Sequence, residues 1–278
     1  VNQIIRRVIV KKIGVIGYGS MGKVILDGFL LSGILKPYEV IISSKTVSKL
    51  DYLKNEYPEI EIAQNNTITS MKSNLLFLMV GTLDVKNVLE EIKEFTSENT
   101  HLVYISAALT MENVNGIFKG KISKVMPSLT SKVLEGVTLI CHNSNVTKAE
   151  GEYLNSLFNS IGISKIINEQ DFDVGADITS CSPAFIAQIF MEFAKTASLN
   201  SGFSIEETEE MVIKTLYGTS KLLSEDMGFE NLISSVATKG GITEEGLKVL
   251  DEDIPVTFKK LFSTTIKKHD TIKNQLII

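Results

Sequence analysis

Two glycine-rich turns, each set before a helical pattern, hold the residues in this 278-residue chain best suited to chemistry. The first reads Gly17-Tyr18-Gly19-Ser20-Met21-Gly22 and follows a short apolar run, KIGVIG at residues 12–17. This is G-x-G-x-x-G between a strand and a helix. Gly17 permits the tight turn, Gly19 lets the backbone approach a pyrophosphate, and Gly22 allows helix and strand to pack closely. The helix N-terminus then presents unpaired N–H groups and partial positive charge to the phosphates. A dinucleotide site is expected here. About 20 residues past the glycines, an NAD site usually carries an acid for the ribose 2′-hydroxyl. Here the chain reads Ser43-Ser44-Lys45. Two hydroxyls and a cation suit a 2′-phosphate, so NADPH is the preferred cofactor, with NADH possible.

The second turn is Lys239-Gly240-Gly241-Ile242-Thr243. Two glycines before a helix N-terminus make a backbone nest that fits a small carboxylate. Thr243 brings a hydroxyl to the same place. The plain structural reading of these residues alone is a glycine C-cap followed by a threonine N-cap.

Short strand patterns lie at residues 12–17, 39–43, 75–80, 101–105, 121–126 and 137–141, with helical periodicity between them. LLFLMV at 75–80 is continuously apolar, as expected of a parallel strand buried on both faces. The alternation predicts an α/β fold, an N-terminal Rossmann doubly wound parallel sheet over residues 1–168. Residues 169–278 carry only helical patterns and predict an all-helical dimerisation and substrate domain. Pro183 suits a first helical turn, and Ser204 with Glu207 forms a capping box opening a helix to about Leu223. Residues 184–199 are apolar around most of the helix, which favours a homodimer, or a higher homo-oligomer.

The net charge of −5 argues against a nucleic-acid footprint. Cys141 and Cys181 stand far apart, as reduced thiols would, and His101, His142 and His269 have no metal-ligand spacing. The apolar stretches in residues 1–10 are too short for a signal peptide, and no run approaches the roughly 20 apolar residues of a membrane span. A cytoplasmic protein with no membrane partner is expected.

Four motifs occur in a fixed order: GYGSMG, VMPS at 125–128, SCSPAF at 180–185 and TKGGIT at 238–243. In that order they resemble the pyrroline-5-carboxylate reductase family over residues 12–268. The resemblance implies a Rossmann domain joined to a helical dimerisation domain, and NAD(P)H-dependent reduction of a cyclic imine, Δ1-pyrroline-5-carboxylate, to L-proline. It implies that Thr243 hydrogen-bonds the imine nitrogen while backbone N–H groups at Gly241, Ile242 and Thr243 hold the carboxylate. Thr238, Gly240, Met126 and Ser128 complete the implied substrate site. Asn66, Val80, Gly81, Ser106 and Ala107 match positions that line the cofactor.

Several motifs depart from the family pattern. V-K-P becomes Val80-Gly81-Thr82, A-A-G becomes Ser106-Ala107-Ala108, and M-P-N becomes Met126-Pro127-Ser128. G-S-G-P-A-Y becomes Ser180-Cys181-Ser182-Pro183-Ala184-Phe185, and Lys239 replaces the signature proline. These variants are similar to the branch of the family found in competence operons. An NADP(H)-binding regulatory paralogue is therefore the alternative function. A β-hydroxyacid dehydrogenase shares the plan but needs a helix lysine where Ile186 stands.

Overall fold

The computed structural model describes residues 12–106 and 108–276. The chain runs β1 (Lys12–Ile16), α1 (Ser20–Leu31), β2 (Val40–Ser43), α2 (Asp51–Glu56), β3 (Glu61–Ile62), α3 (Asn66–Met71), β4 (Ser73–Leu78) and α4 (Val85–Ile92). It continues as β5 (His101–Ile105), α5 (Met111–Ile117), β6 (Lys121–Met126), β7 (Gly136–His142), α6 (Lys148–Asn159), β8 (Gly162–Ile166) and α7 (Phe172–Ala176). A π-helical turn, Asp177–Cys181, leads into α8 (Ser182–Leu199), α9 (Ile205–Leu222), α10 (Phe229–Val236) and α11 (Ile242–Leu276).

The strands form one sheet in the order β3-β2-β1-β4-β5-β6-β7-β8. The order reverses between β1 and β4, and such a switch point opens a crevice beyond the carboxyl ends of the strands. β4 shows why its apolar run is continuous. Leu75 and Phe77 join a core that includes Phe29 of α1 and Phe158 of α6, whereas Leu76 and Leu78 face Val85, Leu89 and Ile92 of α4. Phe29 meets Phe158 edge-on at 5.4 Å between centroids, which pins α1 and α6 to the same face.

Three features differ from the sequence reading. β7 runs antiparallel to β6, so the sheet is mostly rather than wholly parallel. The connection between them contains only the 3-10 turn Leu129–Val133, too short for the helical crossover that a parallel pair needs. β3 and β8 were not expected. β3 is two residues long, and β8 is a half-exposed edge strand with little apolar pattern to betray it. Finally, the chain divides into compact units elsewhere than at 168/169. The first unit ends at Ser180 and regains the chain from Lys268, and the second is Cys181–Lys267. Phe172 and Ala176 bury themselves with Met126 and Leu139, which holds α7 on the sheet. Lys124, buried in β6, reaches Glu169 at 3.2 Å and lies over the Phe172 ring at 4.8 Å. Near the end of α11, Lys273 pairs with Asp173, and His269 Nε2 lies 3.3 Å from Asp177 Oδ1.

His101, at the start of β5, is buried, with Nε2 2.6 Å from Ser123 Oγ; the same hydroxyl lies 2.6 Å from His142 Nδ1. Burial lowers the His101 pKa to about 4, against 6.5 ordinarily. The unfolded chain therefore takes up this proton at a higher pH than the folded one. Stability is complete above pH 6.5 and falls as pH drops toward 4. Urea melts at about pH 7.5 and about pH 4.5 should differ by ~2–3 kcal/mol from this residue alone. In His101→Gln that increment should vanish; an unchanged pH slope in the variant would contradict the assignment.

In the second unit, α8 and α9 pack on each other, with Ser204 and Glu207 forming the capping box that starts α9. Among the described residues, Ala194 is the buried residue of α8 and Thr208 that of α9. Phe193, Ile213, Phe229 and Val256 remain exposed, each above 60%.

Candidate functional site

The first glycine turn is built for close approach of a ligand. Gly17 takes φ +99°, and a side chain there would bring its Cβ within 2.5 Å of the Met79 carbonyl oxygen. Its N–H donates to the Ser43 carbonyl at 2.9 Å, tying the end of β1 to the end of β2. Gly19 is different. Its φ of −77° suits any residue, and no atom lies within 4 Å of where its Cβ would be. The open space sits at the start of the 12-residue α1, where Ser20 and Met21 supply first-turn N–H groups. A Cβ on Gly22 would stand 2.9 Å from the Gly17 carbonyl, so glycine keeps helix and turn together.

Tyr18 contributes otherwise than expected of a cofactor contact. Its side chain is buried, and its hydroxyl donates to Asp27 Oδ1 of α1 at 2.6 Å. Lys23 Nζ donates to the same carboxylate at 2.5 Å. Burial, with Asp27 beside it, drives the phenol pKa upward. Tyr18 thus braces the turn against the helix and leaves only its backbone for a ligand.

Beyond β1, β2 and β4 lies a cleft of about 490 Å³. Gly17, Ser43, Ser44, Lys45, Asn66 and Val80 line it, so the structure brings these expected cofactor residues together. Ser43 Oγ donates to Asn66 Oδ1 at 2.8 Å, and Asn66 Nδ2 donates to Glu91 Oε2 at 2.8 Å. Asp84, Asn87 and Glu91 also face the cleft. No sequence signal marks them, because the 3-10 turn that ends at Asp84 and the helix α4 after it are brought to the site only by the fold. An open glycine cradle, a helix N-terminus and a polar pocket past β2 fit a dinucleotide.

The neighbouring loops hold the other expected residues. Gly81 accepts from the Asp84 N–H at 2.8 Å and starts a short 3-10 turn. Ser106 is buried; its hydroxyl accepts from the Leu109 N–H at 3.0 Å and lies 3.4 Å from Thr82 Oγ1. Ala107 lies outside the described residues. Met126 and Ser128 are buried at the end of β6, where Ser128 Oγ accepts from Thr130 Oγ1 at 3.0 Å. Ser180 Oγ donates to the Pro127 carbonyl at 2.7 Å, which joins two of the sequence motifs in space.

In the second unit, Gly240 takes φ +76°, and the Gly241 N–H donates back to the Thr238 carbonyl at 2.8 Å. The Gly240 N–H is engaged by Glu244 Oε2 at 2.6 Å. The helix starts at Ile242, which makes Gly241 the residue before it and puts Thr243 inside the first turn rather than at the N-cap. The N–H groups that a helix start leaves without intrahelical acceptors are therefore those of Ile242, Thr243 and Glu244. Of the N–H groups expected to hold the carboxylate, at Gly241, Ile242 and Thr243, that of Gly241 is taken by the Thr238 carbonyl, and the first-turn set runs one residue further, to Glu244. Lys239 stands in the turn, exposed.

Fold and cleft together define a nicotinamide-dinucleotide oxidoreductase with a helical C-terminal unit. Residues 12–109 match a family model described as NADP oxidoreductase coenzyme F420-dependent, and residues 169–272 match one described as pyrroline-5-carboxylate reductase dimerisation. Pyrroline-5-carboxylate reductase 3 of Bacillus subtilis is 34% identical over 268 residues, spanning 96% of this chain and 98% of that protein. The chain belongs to the pyrroline-5-carboxylate reductase family. ComE operon protein 4 of the same organism is 26% identical over 93% of this chain and 95% of its own length. A crystal structure of the Plasmodium falciparum pyrroline carboxylate reductase with NADP bound aligns with TM-score 0.78 and 25% identity, over 95% of this chain and 97% of that one.

Proposed function

We propose that this protein reduces Δ1-pyrroline-5-carboxylate to L-proline, with NADPH preferred over NADH. The observation that carries the reading is the pairing of an open phosphate cradle at Gly19 with a first-turn anion cradle beside Thr243 in one chain of this family. The bound nicotinamide supplies the hydride, and the protein supplies orientation and electrostatics. In the second unit, the first-turn N–H groups of α11 receive the substrate carboxylate. The substrate enters as the protonated iminium, and its N–H donates to the Thr243 hydroxyl. As hydride reaches the carbon, the π pair of the C=N bond falls to nitrogen and leaves the neutral ring amine with no further proton required. Met126 and Ser128 shape the substrate side of the β6 loop. Lys45, exposed beside Ser43 and Ser44, favours the extra phosphate of NADPH.

The exposed apolar residues of α8 to α11 support a homodimer through the second unit. A helical run within residues 169–199 is apolar enough, at mean hydropathy 1.2, to cross a membrane by length and composition. Its place inside the region matched to the dimerisation model favours helix–helix burial instead, in a cytoplasmic protein without nucleic-acid partners.

A second reading, a dinucleotide-binding paralogue without turnover, draws on the likeness to ComE operon protein 4 and on the replaced V-K-P and M-P-N motifs. Calorimetric NADPH titration beside NADPH oxidation with racemic pyrroline-5-carboxylate separates the two. The reductase reading expects binding and turnover. Binding without turnover supports the paralogue.

A further inference from the structure

Past β2, where the chain itself carries no acid, the fold brings a carboxylate from another element. Glu91 comes from α4, accepts from Asn66 Nδ2 at 2.8 Å, and through Asn66 reaches the buried Ser43 hydroxyl. An ionised carboxylate only accepts hydrogen bonds, so Glu91 dictates which way the Asn66 amide points. The amide oxygen is then turned to Ser43, whose single hydroxyl proton is spent on it. What Ser43 offers the cleft is a pair of acceptor sites. That arrangement receives a ribose hydroxyl, which can donate, and repels a phosphate oxygen, which at neutral pH largely accepts. The charges agree: among the described residues, Lys45 is the one cation lining this cleft, against the two carboxylates Asp84 and Glu91.

We infer that Glu91 is a specificity-determining positioning residue: acting through Asn66 and Ser43, it restrains the preference for NADPH and keeps NADH usable. The inference rests on the dinucleotide reading of the cleft. Glu91→Gln removes the charge and lets the amide pair turn over, freeing the Ser43 proton to meet a phosphate. Glu91 is exposed and contributes nothing to the core, so the variant should melt as the parent does.

The test is equilibrium titration of the full-length protein with NADPH and with NADH, no imine present. The ratio of NADH Kd to NADPH Kd should rise about three- to tenfold in Glu91→Gln, chiefly through tighter NADPH binding, as expected when one nearby like charge is removed at a partly solvated site. Glu90→Gln is the control, since it removes the same charge from α4 at a residue paired with Lys93. Its ratio should stay within about twofold of the parent, because Glu90 is not among the residues lining the cleft and its carboxylate is engaged by Lys93 rather than by Asn66. An unchanged ratio in Glu91→Gln, or an equal rise in Glu90→Gln, would overturn the inference while leaving the cofactor reading intact. A parent protein that binds neither dinucleotide would overturn both.

Discussion

Gly19→Ala should fold as the parent does and bind NADPH about 10- to 100-fold more weakly, a loss of ~1.4–2.7 kcal/mol. The backbone at Gly19 is extended, and the space around its missing Cβ is open, so the methyl group meets nothing in the protein. That methyl would occupy the volume through which a pyrophosphate approaches the first turn of α1. At this helix-capping position the exchange costs stability only by about 1 kcal/mol or less. Gly17→Ala is the contrasting case. There the Cβ would lie 2.5 Å from the Met79 carbonyl and the backbone has positive φ, so the fold itself loses about 2–5 kcal/mol. Thermal melts and cofactor titration on both variants separate a turn kept open for the ligand from one kept open for the chain. Parent-like NADPH affinity in Gly19→Ala would remove the cradle from the account.

Thr243→Ala should lower kcat/KM for pyrroline-5-carboxylate by about 10- to 100-fold. A hydrogen bond to a charged partner contributes about 1.5–3 kcal/mol, and ~1.4 kcal/mol is tenfold in rate. Because α11 begins at Ile242, Thr243 is a first-turn residue and caps nothing. Alanine is a better helix former than threonine, so stability should hold or rise slightly. NADPH affinity should be unchanged, since the glycine turn belongs to the other compact unit. A folded Thr243→Ala protein that reduces the imine at the parent's rate would show that another group serves the nitrogen.

Much of this architecture was legible in residue order because its causes are local. The run LLFLMV needs a neighbour on each face, and α1 and α6 meet one face of β4 while α4 meets the other. GYGSMG reads as a turn into a helix because Gly17 and Gly22 stand where backbone meets backbone, while Gly19 keeps the approach open. Ser204 and Glu207 signal a helix start by their own chemistry, and they form that cap. What escaped reading depends on pairing over distance. The antiparallel β7 follows from a connection whose brevity shows only once both strands are bounded. β8 has an edge strand's weak pattern and is defined by its partner β7. The place of residues 169–180 in the first unit follows from Lys124 and Phe172, a buried cation and a ring with no sequence relation to each other.

The candidate site divides along the same line. The glycines, Ser43, Ser44, Lys45 and Asn66 were recognisable by offset and resemblance, and they line one cleft. Tyr18 sits inside the motif yet turns its side chain to the half-buried Asp27, where its hydroxyl finds an acceptor. Glu91 was invisible, because an acid on an amphipathic helix looks like any solvated charge until the sheet order sets it against Asn66. At the second turn, Glu244 takes the Gly240 N–H and the helix starts at Ile242, neither of which spacing alone revealed.

The central claim is that this chain moves hydride from a nicotinamide to an imine carbon. Incubating the protein with pyrroline-5-carboxylate and NADPH carrying deuterium at the transferable ring position, then examining the product by NMR, tests it most directly. L-proline with one deuterium on the ring carbon that carried the C=N bond is the expected product. NADPH bound by the protein with no labelled proline formed would contradict it.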